Sequence, residues 1–299
     1  MQHRVGHALM RHYDYLELLP LCEARRTGGP MHDTTAGQFT GAIPDHYDRT
    51  LGPVIFADYA ADIARRAVAS SPARVLETAA GTGIVTRHLR DLLPVESKLT
   101  ATDLNEAMLD IARAKFGPKE QVAFTAADAT ELPFSDGTFD VVVCQYGVMF
   151  FSEKPRSYRE VRRVLTRNGR YVFNVWDSHA HNAFGRLAHE TAALHYPEDS
   201  PPFFQVPFGY RDIDAIKESL TDAGFADIKA SVVRVNKQVA DPALFARGLV
   251  YGTPMIDQIR SRGGANPERL IEALTDAFIH ELDLRERPLQ MQAIVFEAA

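Results

Sequence analysis

The stretch that most constrains the fold of this chain is the run VLETAAGTGIVTRHL at residues 75–89. It predicts a short buried strand that ends at Glu77, then a glycine-bearing turn, then the start of an amphipathic helix. Gly81 and Gly83 allow the backbone to turn tightly and to approach a ligand closely. Such a turn between strand and helix is typical of an α/β sheet that binds a nucleoside cofactor.

The spacing of the glycines bears on which cofactor the turn holds. The dinucleotide fingerprint G-x-G-x-x-G has three glycines, with an acid about 20 residues further on. Counted from Gly81, the third glycine place is occupied by Thr86, and the conspicuous acid, Glu77, precedes the glycines. The spacing therefore disfavours an NAD-dependent dehydrogenase, which stays a minor alternative.

A second acid ends the next predicted strand, residues 98–103. Asp103 lies 26 residues after Glu77, which leaves room for one helix and a return strand. An acid at this place can accept hydrogen bonds from the ribose hydroxyls of a nucleoside. The same side chain could instead cap the helix that the pattern predicts at residues 105–115.

The segments that follow carry the most specific pattern. A third predicted strand closes on Asp128-Ala129, Leu-Pro-Phe follows at residues 132–134, and Phe139-Asp140 leads into a β-branched strand that ends at Gln145. This order, after the acid-x-Ala-x-Gly-x-Gly run, resembles the class I S-adenosylmethionine-dependent methyltransferases. Within them it is most similar to the subfamily named for ubiquinone and menaquinone biosynthesis, methyltransferase type 11.

The resemblance covers about residues 39–176 and implies a cofactor, S-adenosyl-L-methionine, with S-adenosyl-L-homocysteine as product. It places Glu77, Gly81 and Gly83 around the methionine moiety, Asp103 on the ribose, and Asp128 with Ala129 on the adenine. An aromatic Tyr47 would touch the methionine end. The complete set of cofactor-binding residues that it implies is Tyr47, Glu77, Ala79, Gly81, Gly83, Asp103, Leu104, Met108, Asp128, Ala129 and Gln145.

Some of these positions have ordinary structural alternatives. Asp128 could be a plain turn acid, and Tyr47 could be a core residue. Ala79 stands where the family motif has its first glycine, and we expect a negative φ there because alanine avoids the left-handed region. Tyr146, next to Gln145, could wall the acceptor pocket or belong to the core.

The expected fold is α/β, with a Rossmann-like seven-stranded sheet that is mostly parallel, has an antiparallel last strand and is flanked by helices. A partly helical substrate cap completes it. Asn168-Gly169 before a strand predicts that Gly169 ends the preceding helix with a positive φ. Later segments predict helices at residues 183–195, 210–224, 242–251 and 266–285, and strands at 225–239 and 289–296.

These elements suggest a division of the chain. The predicted parts are an N-terminal extension at residues 1–32, a cofactor-binding core at 33–177, a cap at 178–210 with parts of 240–288, and the end of the core sheet at 211–239 and 289–299. The extension is either a loose tail, with Met31 as an alternative start, or a short added helix.

Composition and charge limit the kinds of partner that the chain is expected to have. A formal net charge of −6 gives no basic surface on average and argues against nucleic acid, so a small-molecule acceptor is favoured. No apolar run approaches the roughly 20 residues of a membrane helix. The two cysteines lie in unlike contexts, which fits a reduced, cytoplasmic protein.

We therefore predict a methyltransferase that transfers a methyl group to a small molecule by in-line displacement. The alternative is a sensor or partner protein that binds the cofactor without catalysis. Histidines cluster after the fifth strand, but no cysteine or paired acid joins them, so no metal site is expected. One of them could act as a general base; no motif residue identifies a catalytic group, the acceptor or the oligomeric state.

Overall fold

Seven strands form one sheet in the computed structural model, which describes residues 37–262 and 266–299. The predicted N-terminal extension and Met31 lie outside the described residues. The strands are β1 Arg74–Glu77, β2 Lys98–Asp103, β3 Val122–Ala126, β4 Phe139–Gln145, β5 Leu165–Trp176, β6 Ile228–Lys237 and β7 Leu289–Ala298.

The spatial order of the sheet is β3-β2-β1-β4-β5-β7-β6. Strands β1 to β5 pair in parallel, and β7 runs antiparallel to both of its neighbours, β5 and β6. The predicted fold class is confirmed. Because β1, β2, β4 and β5 are parallel, their carboxyl ends meet at one edge of the sheet, where α/β proteins bind ligands.

Helices cover both faces of the sheet. The α-helices are α1 Ile43–His46, α2 Ala57–Val68, α3 Ile84–Leu92, α4 Glu106–Arg113, α5 Lys154–Val164, α6 Ala183–His195, α7 Val206–Gly209, α8 Ile213–Asp222, α9 Pro242–Tyr251, α10 Met255–Arg260 and α11 Pro267–His280. A π-helical segment, Tyr47–Phe56, joins α1 to α2 and contains Pro53. None of the helices in the described ranges is long and apolar enough to cross a membrane.

The alternation of side chains along each strand creates two apolar layers. Val75 and Val141 face α2 and α3, where they join Ile63 and Leu89 in one buried cluster. Their neighbours Leu76 and Val142 point to the opposite face and join a larger cluster. Residues 141–144 of β4 are fully buried, since the strand is covered on both faces, and this explains their unbroken apolar sequence.

One predicted turn is wrong. Helix α5 ends at Val164, and the chain extends from Leu165, so Gly169 does not cap the helix and does not have a positive φ. A Cβ added to Gly169 would lie 2.9 Å from Cδ2 of Leu165. The glycine is therefore required by a close approach to Leu165 rather than by its own backbone angle.

Element boundaries differ from the expected ones in the second half of the chain. The helix expected at 210–224 begins at Ile213, because the Asp212 carboxylate caps it by accepting from the N–H groups of Asp214 and Ala215. Gly224, with φ +97°, follows its end. Helix α11 is shorter than expected, and α10 was not expected at all.

The helices expected to form the substrate cap pack through aromatic side chains. Phe184 of α6 lies 6.0 Å from Phe245 of α9, ring centre to ring centre, and Phe245 stacks on Phe278 of α11 at 5.2 Å. The assignment of these helices to a cap stays a prediction.

Candidate functional site

The turn between β1 and α3 is held by backbone hydrogen bonds to the neighbouring strands. Thr78 N–H donates to the carbonyl of Val143 at 2.9 Å, and Ala80 N–H donates to that of Thr102 at 2.9 Å. The turn is thereby fixed between the ends of β4 and β2.

Ala79 adopts φ +51°, so the expectation of a negative φ at this position is wrong. The left-handed region costs an alanine roughly 1 kcal/mol relative to glycine. The conformation follows from the surroundings: a Cβ on Gly147 would lie 2.3 Å from Cβ of Ala79. The methyl group of Ala79 therefore occupies space that the absent side chain of Gly147 leaves free.

The two glycines of the turn serve different purposes. Gly81 has φ +56° and nothing within 4 Å of an added Cβ, so it faces open space. Gly83 has φ +80°, and an added Cβ would lie 2.9 Å from Cβ of Ala112 in α4. Gly81 leaves room for a ligand, whereas Gly83 lets α4 approach the turn.

Glu77 ends β1 and is only 1% exposed. Its Oε2 accepts a hydrogen bond from Thr86 Oγ1 at 2.6 Å. Burial raises the pKa of Glu77 to about 8, an effect that the Thr86 hydroxyl opposes and the nearby Asp103 charge reinforces. A carboxyl group with this pKa changes its charge readily when a cation approaches.

Asp103 ends β2 and is 7% exposed. Its Oδ2 accepts from Gly81 N–H at 2.8 Å, and its Oδ1 accepts from the backbone N–H of Asn105 at 2.8 Å. Burial raises its pKa, although these bonds oppose the rise. Asn105, not Asp103, is the N-cap residue of α4.

The residues after Asp103 divide between surface and core. Leu104 is 68% exposed, which is unusual for a large apolar side chain beside a binding turn. Met108, one helical turn further, is buried. Of these two predicted cofactor contacts, Leu104 offers an apolar surface and Met108 supports the site from within.

Asp128 is exposed, and its Oδ1 accepts from Thr130 N–H at 2.7 Å. Asp128 therefore does act as a turn acid, which was its structural alternative. Ala129 beside it is buried. The predicted contact of both residues with adenine stays a prediction.

Tyr47 and Gln145 close the site from the π-helical segment and from β4. The Tyr47 ring stacks on Phe56 at 4.8 Å, and burial, followed by the charges of Asp103 and Asp48, raises the pKa of its hydroxyl. Gln145 Nε2 donates to the carbonyl of Phe56 at 3.4 Å. Gln145 Oε1 is buried and has no hydrogen-bond partner among the described residues.

This orphaned oxygen tests whether the residues suit the expected cofactor. A buried acceptor without a donor is costly unless a ligand supplies one. The ammonium group of a methionine moiety is such a donor, and Gly81 leaves open space on the same edge of the sheet. The donor and acceptor chemistry of the site fits S-adenosylmethionine.

Two threonines of the turn were missed as functional residues. Thr82 lies between the two glycines, and its buried hydroxyl has no partner within the part of the chain that the structure describes. Thr86 was noted only as a missing glycine, yet it is the hydrogen-bond partner of Glu77. Their positions inside the glycine run were the one available signal.

Aromatic rings continue from the cofactor site toward β5. We call Tyr47, Phe56, Tyr146, Trp176 and Phe208 the aromatic row. After the Tyr47–Phe56 stack, Phe56 lies 5.6 Å from Tyr146, Tyr146 stacks on Trp176 at 4.2 Å, and Trp176 lies 6.0 Å from Phe208. Tyr146 has φ +57°, so its backbone is strained at this edge of the sheet. Its hydroxyl is buried and has no partner in the described ranges.

Comparison with known proteins identifies the region that contains this site. Residues 76–173 match the family model described as a methyltransferase domain. About a third of the chain is therefore similar to a methyltransferase domain. The matched residues include the glycine turn, Asp103, Asp128 and Gln145, and S-adenosylmethionine is the cofactor of this family.

Curated relatives agree with the domain assignment. The chain is 37% identical over 125 residues to the demethylmenaquinone methyltransferase of Deinococcus radiodurans, covering 42% of this chain and 52% of that protein. It is 32% identical over 166 residues to the malonyl-[acyl-carrier protein] O-methyltransferase of Geobacter sulfurreducens, covering 53% and 57%. The predicted resemblance to the quinone-biosynthesis type is confirmed, and the chain spans about half the length of these relatives.

Solved structures confirm the fold. Phosphoethanolamine N-methyltransferase 2 of Haemonchus contortus, solved with phosphomonomethylethanolamine and S-adenosylhomocysteine, has a TM-score of 0.57 at 16% identity. The likeness covers 91% of this chain and 60% of that one. The core sheet and its flanking helices therefore share the fold of that protein.

Proposed function

We propose that this chain is an S-adenosylmethionine-dependent methyltransferase that acts on a small-molecule acceptor. The observation that carries the proposal is the convergence of a glycine turn, two buried acids and an unsatisfied amide oxygen at one edge of the sheet. Glu77, Asp103 and Gln145 end three adjacent parallel strands, β1, β2 and β4.

The binding roles follow from this arrangement. Gln145 Oε1 and the buried Glu77 carboxyl accept from the methionine ammonium group, and Gly81 gives the methionine space. Asp103 accepts from a ribose hydroxyl through the acceptor capacity that its three bonds to Gly81 and Asn105 leave free. Leu104 covers the base, and Asp128 with Ala129 meets its edge.

The chemistry needs little from the protein beyond geometry. S-adenosylmethionine supplies an electrophilic methyl group on a sulfonium centre. The chain must hold a nucleophile about 3 to 3.5 Å away and in line, and must keep water out. The aromatic row suits this task, since stacked rings exclude water and an aromatic face attracts a cation.

The acceptor is a small molecule in this proposal. The net charge of −6 disfavours a polyanionic nucleic acid. By their names, the two relatives act on demethylmenaquinone and on malonyl-[acyl-carrier protein], and the first of these is a small molecule. The two relatives therefore have the methyl donor in common but not the acceptor. We also expect the protein to work in the cytoplasm.

Calorimetric titration with S-adenosylhomocysteine tests the first half of the proposal. We expect one site per chain, with binding weakened in Asp103→Ala and unchanged in Asp110→Ala, an exposed acid of α4. No heat with the wild-type protein would reject the proposal.

Transfer of a labelled methyl group to a metabolite extract tests the second half. Labelled product in the wild type that disappears in Asp103→Ala supports an enzyme. Binding of S-adenosylhomocysteine without any labelled product would instead favour a sensor.

A further inference from the structure

A cavity of about 390 Å³ lies beside the carboxyl end of β5, outside the cofactor site. Its wall includes Ser178 and His179, which follow Trp176 by two and three residues, and Gln205, Phe208 and Arg211 from the far side. The volume lies within the range of small-ligand pockets in proteins. Nothing in the cofactor-binding roles described above uses this space.

The position of the cavity relates it to the cofactor site. Adjacent strands are about 4.8 Å apart, so β5 ends one strand beyond Gln145 and two strands beyond Glu77. In the proposed binding roles the methionine moiety, whose sulfur carries the methyl group, lies on the β5 side of the ribose. Phe208 lines the cavity and is also the last ring of the aromatic row, 6.0 Å from Trp176.

The charge in the cavity is positive. Arg211 is exposed, forms no ion pair within the described part of the chain, and donates one hydrogen bond, to the carbonyl of Phe208 at 2.8 Å. Its guanidinium has five N–H donors, so most of them stay available. Its charge acts on His179, whose pKa is lowered, first by burial.

The nearby acids are already engaged. Glu190, whose charge reaches His179, is paired with Arg186 at 2.5 Å. Asp212 caps α8 through Oδ1. Asp177 accepts from Gln292 Nε2 and from Ser178 N–H. None of these three acids is among the lining residues, and Arg211, which is, forms no ion pair within the described part of the chain.

Both polar and apolar side chains line the cavity. Arg211 and Ser178 supply hydrogen-bond donors, and Phe208 is a buried apolar side chain. The Gln205 amide donates to His189 Nε2 at 3.2 Å, which fixes it against the wall. A ligand that satisfies both parts has one anionic group and a flat apolar body.

We propose that this cavity binds the anionic group of the methyl acceptor, a small organic acid whose apolar body lies against Phe208. This inference rests on the proposed function, since it assigns the acceptor side of the same site. A guanidinium recognises carboxylate and phosphate in the same bidentate way, so either group satisfies the assignment.

The test is a titration of the full chain, saturated with S-adenosylhomocysteine, with benzoate, phenyl phosphate and the neutral benzamide. Changes in the ring nitrogen shifts of His179 locate the bound probe. We expect millimolar binding of at least one anion and at least tenfold weaker binding of benzamide. The better anion of the two identifies carboxylate or phosphate as the natural group.

Matched variants establish which cation is responsible. Arg211→Gln is expected to weaken anion binding about tenfold, Arg211→Lys to retain most of it, and Arg269→Gln, at an exposed arginine of α11, to change nothing. Equal loss in both glutamine variants, or binding that ignores Arg211→Gln, would overturn the inference. Circular dichroism and the affinity for S-adenosylhomocysteine show that each variant is folded.

The outcomes separate the two proposals. If S-adenosylhomocysteine binds but none of the anions does, the cavity assignment is wrong and the proposed function stands. If S-adenosylhomocysteine does not bind and the anions bind in a titration without it, the proposed function is wrong, and the assignment of the cavity to a methyl acceptor is overturned with it.

Discussion

The cofactor site and the region after β5, residues 176–211, lie at the same edge of the sheet but are built in opposite ways. In the cofactor site, the buried Asp103 is held by backbone N–H groups of the glycine turn and of its own strand end, Gly81 and Asn105. In the region after β5, the contacts are between aromatic rings, as in Tyr146 with Trp176 and Trp176 with Phe208. Backbone hydrogen bonds thus hold the cofactor site, whereas side-chain packing shapes the region in which we propose that the acceptor binds.

The largest effect expected from this contrast is a pH dependence that belongs to the cofactor site. The pKa of Glu77 is raised from 4.5 to about 8, so between these values the unfolded state has lost a proton that the folded state keeps. The contribution of Glu77 to stability is then fully present below pH 4.5 and is lost as pH rises toward 8, by about 1.4 kcal/mol per pH unit and roughly 5 kcal/mol over the window.

Urea unfolding at a series of pH values measures this slope. Glu77→Gln is expected to flatten it, although Asp103, whose pKa is also raised, leaves a residual slope of the same sign. Glu131→Gln, at an acid exposed on the surface, should leave the slope intact. The same slope in the Glu77 variant as in the wild type would show that the buried acid is charged in the folded protein.

Removal of the Asp103 carboxylate is the next largest change. Asp103→Ala deletes the acceptor for Gly81 N–H and for the ribose, so we expect S-adenosylhomocysteine to bind about 100-fold more weakly, or roughly 2.7 kcal/mol. Calorimetry measures the loss. Asp103→Asn should lose less, since the amide oxygen can still accept one bond.

A steric test distinguishes the turn from its support. Gly147→Ala places a Cβ 2.3 Å from Cβ of Ala79 and 2.9 Å from the Cys144 sulfur, and should reduce the free energy of unfolding by about 2 kcal/mol. The double variant with Ala79→Gly removes the first clash but not the second. We expect it to recover about half of the loss; no recovery would mean that the Ala79 contact is not the cause.

The same contrast explains which features of the structure could be predicted from the sequence. Glu77, Gly81 and Asp103 were predictable because a strand end, a glycine turn and a return strand are local patterns. The φ of Ala79 was not, because it depends on Gly147, a residue far along the chain that packs against it. No sequence pattern indicated the cavity at Arg211, because its walls come from separate segments that only the folded chain brings together.

A smaller effect is expected in the region after β5. Phe208→Leu shortens a buried ring of the aromatic row and should cost roughly 1.5 kcal/mol of stability. Because no atom of the cofactor site is changed, S-adenosylhomocysteine affinity should stay within twofold, as calorimetry would show. A large loss of affinity would mean that the row transmits packing changes back to the cofactor site, and the two regions would then not be independent.

The smallest effect is expected at Ala79 itself. Ala79→Gly restores the glycine of the family motif and relieves the strain of the positive φ in the folded state. It also gives the unfolded chain more conformational freedom, and each of these two free energies is about 1 kcal/mol. The two nearly cancel, so the free energy of unfolding should change by less than about 1 kcal/mol, with S-adenosylhomocysteine affinity unchanged. A loss well above this value in urea unfolding would show that the methyl packing on Gly147 outweighs the backbone strain. The alanine would then be a stabilising partner of that distant glycine, and even this most local turn would depend on long-range packing.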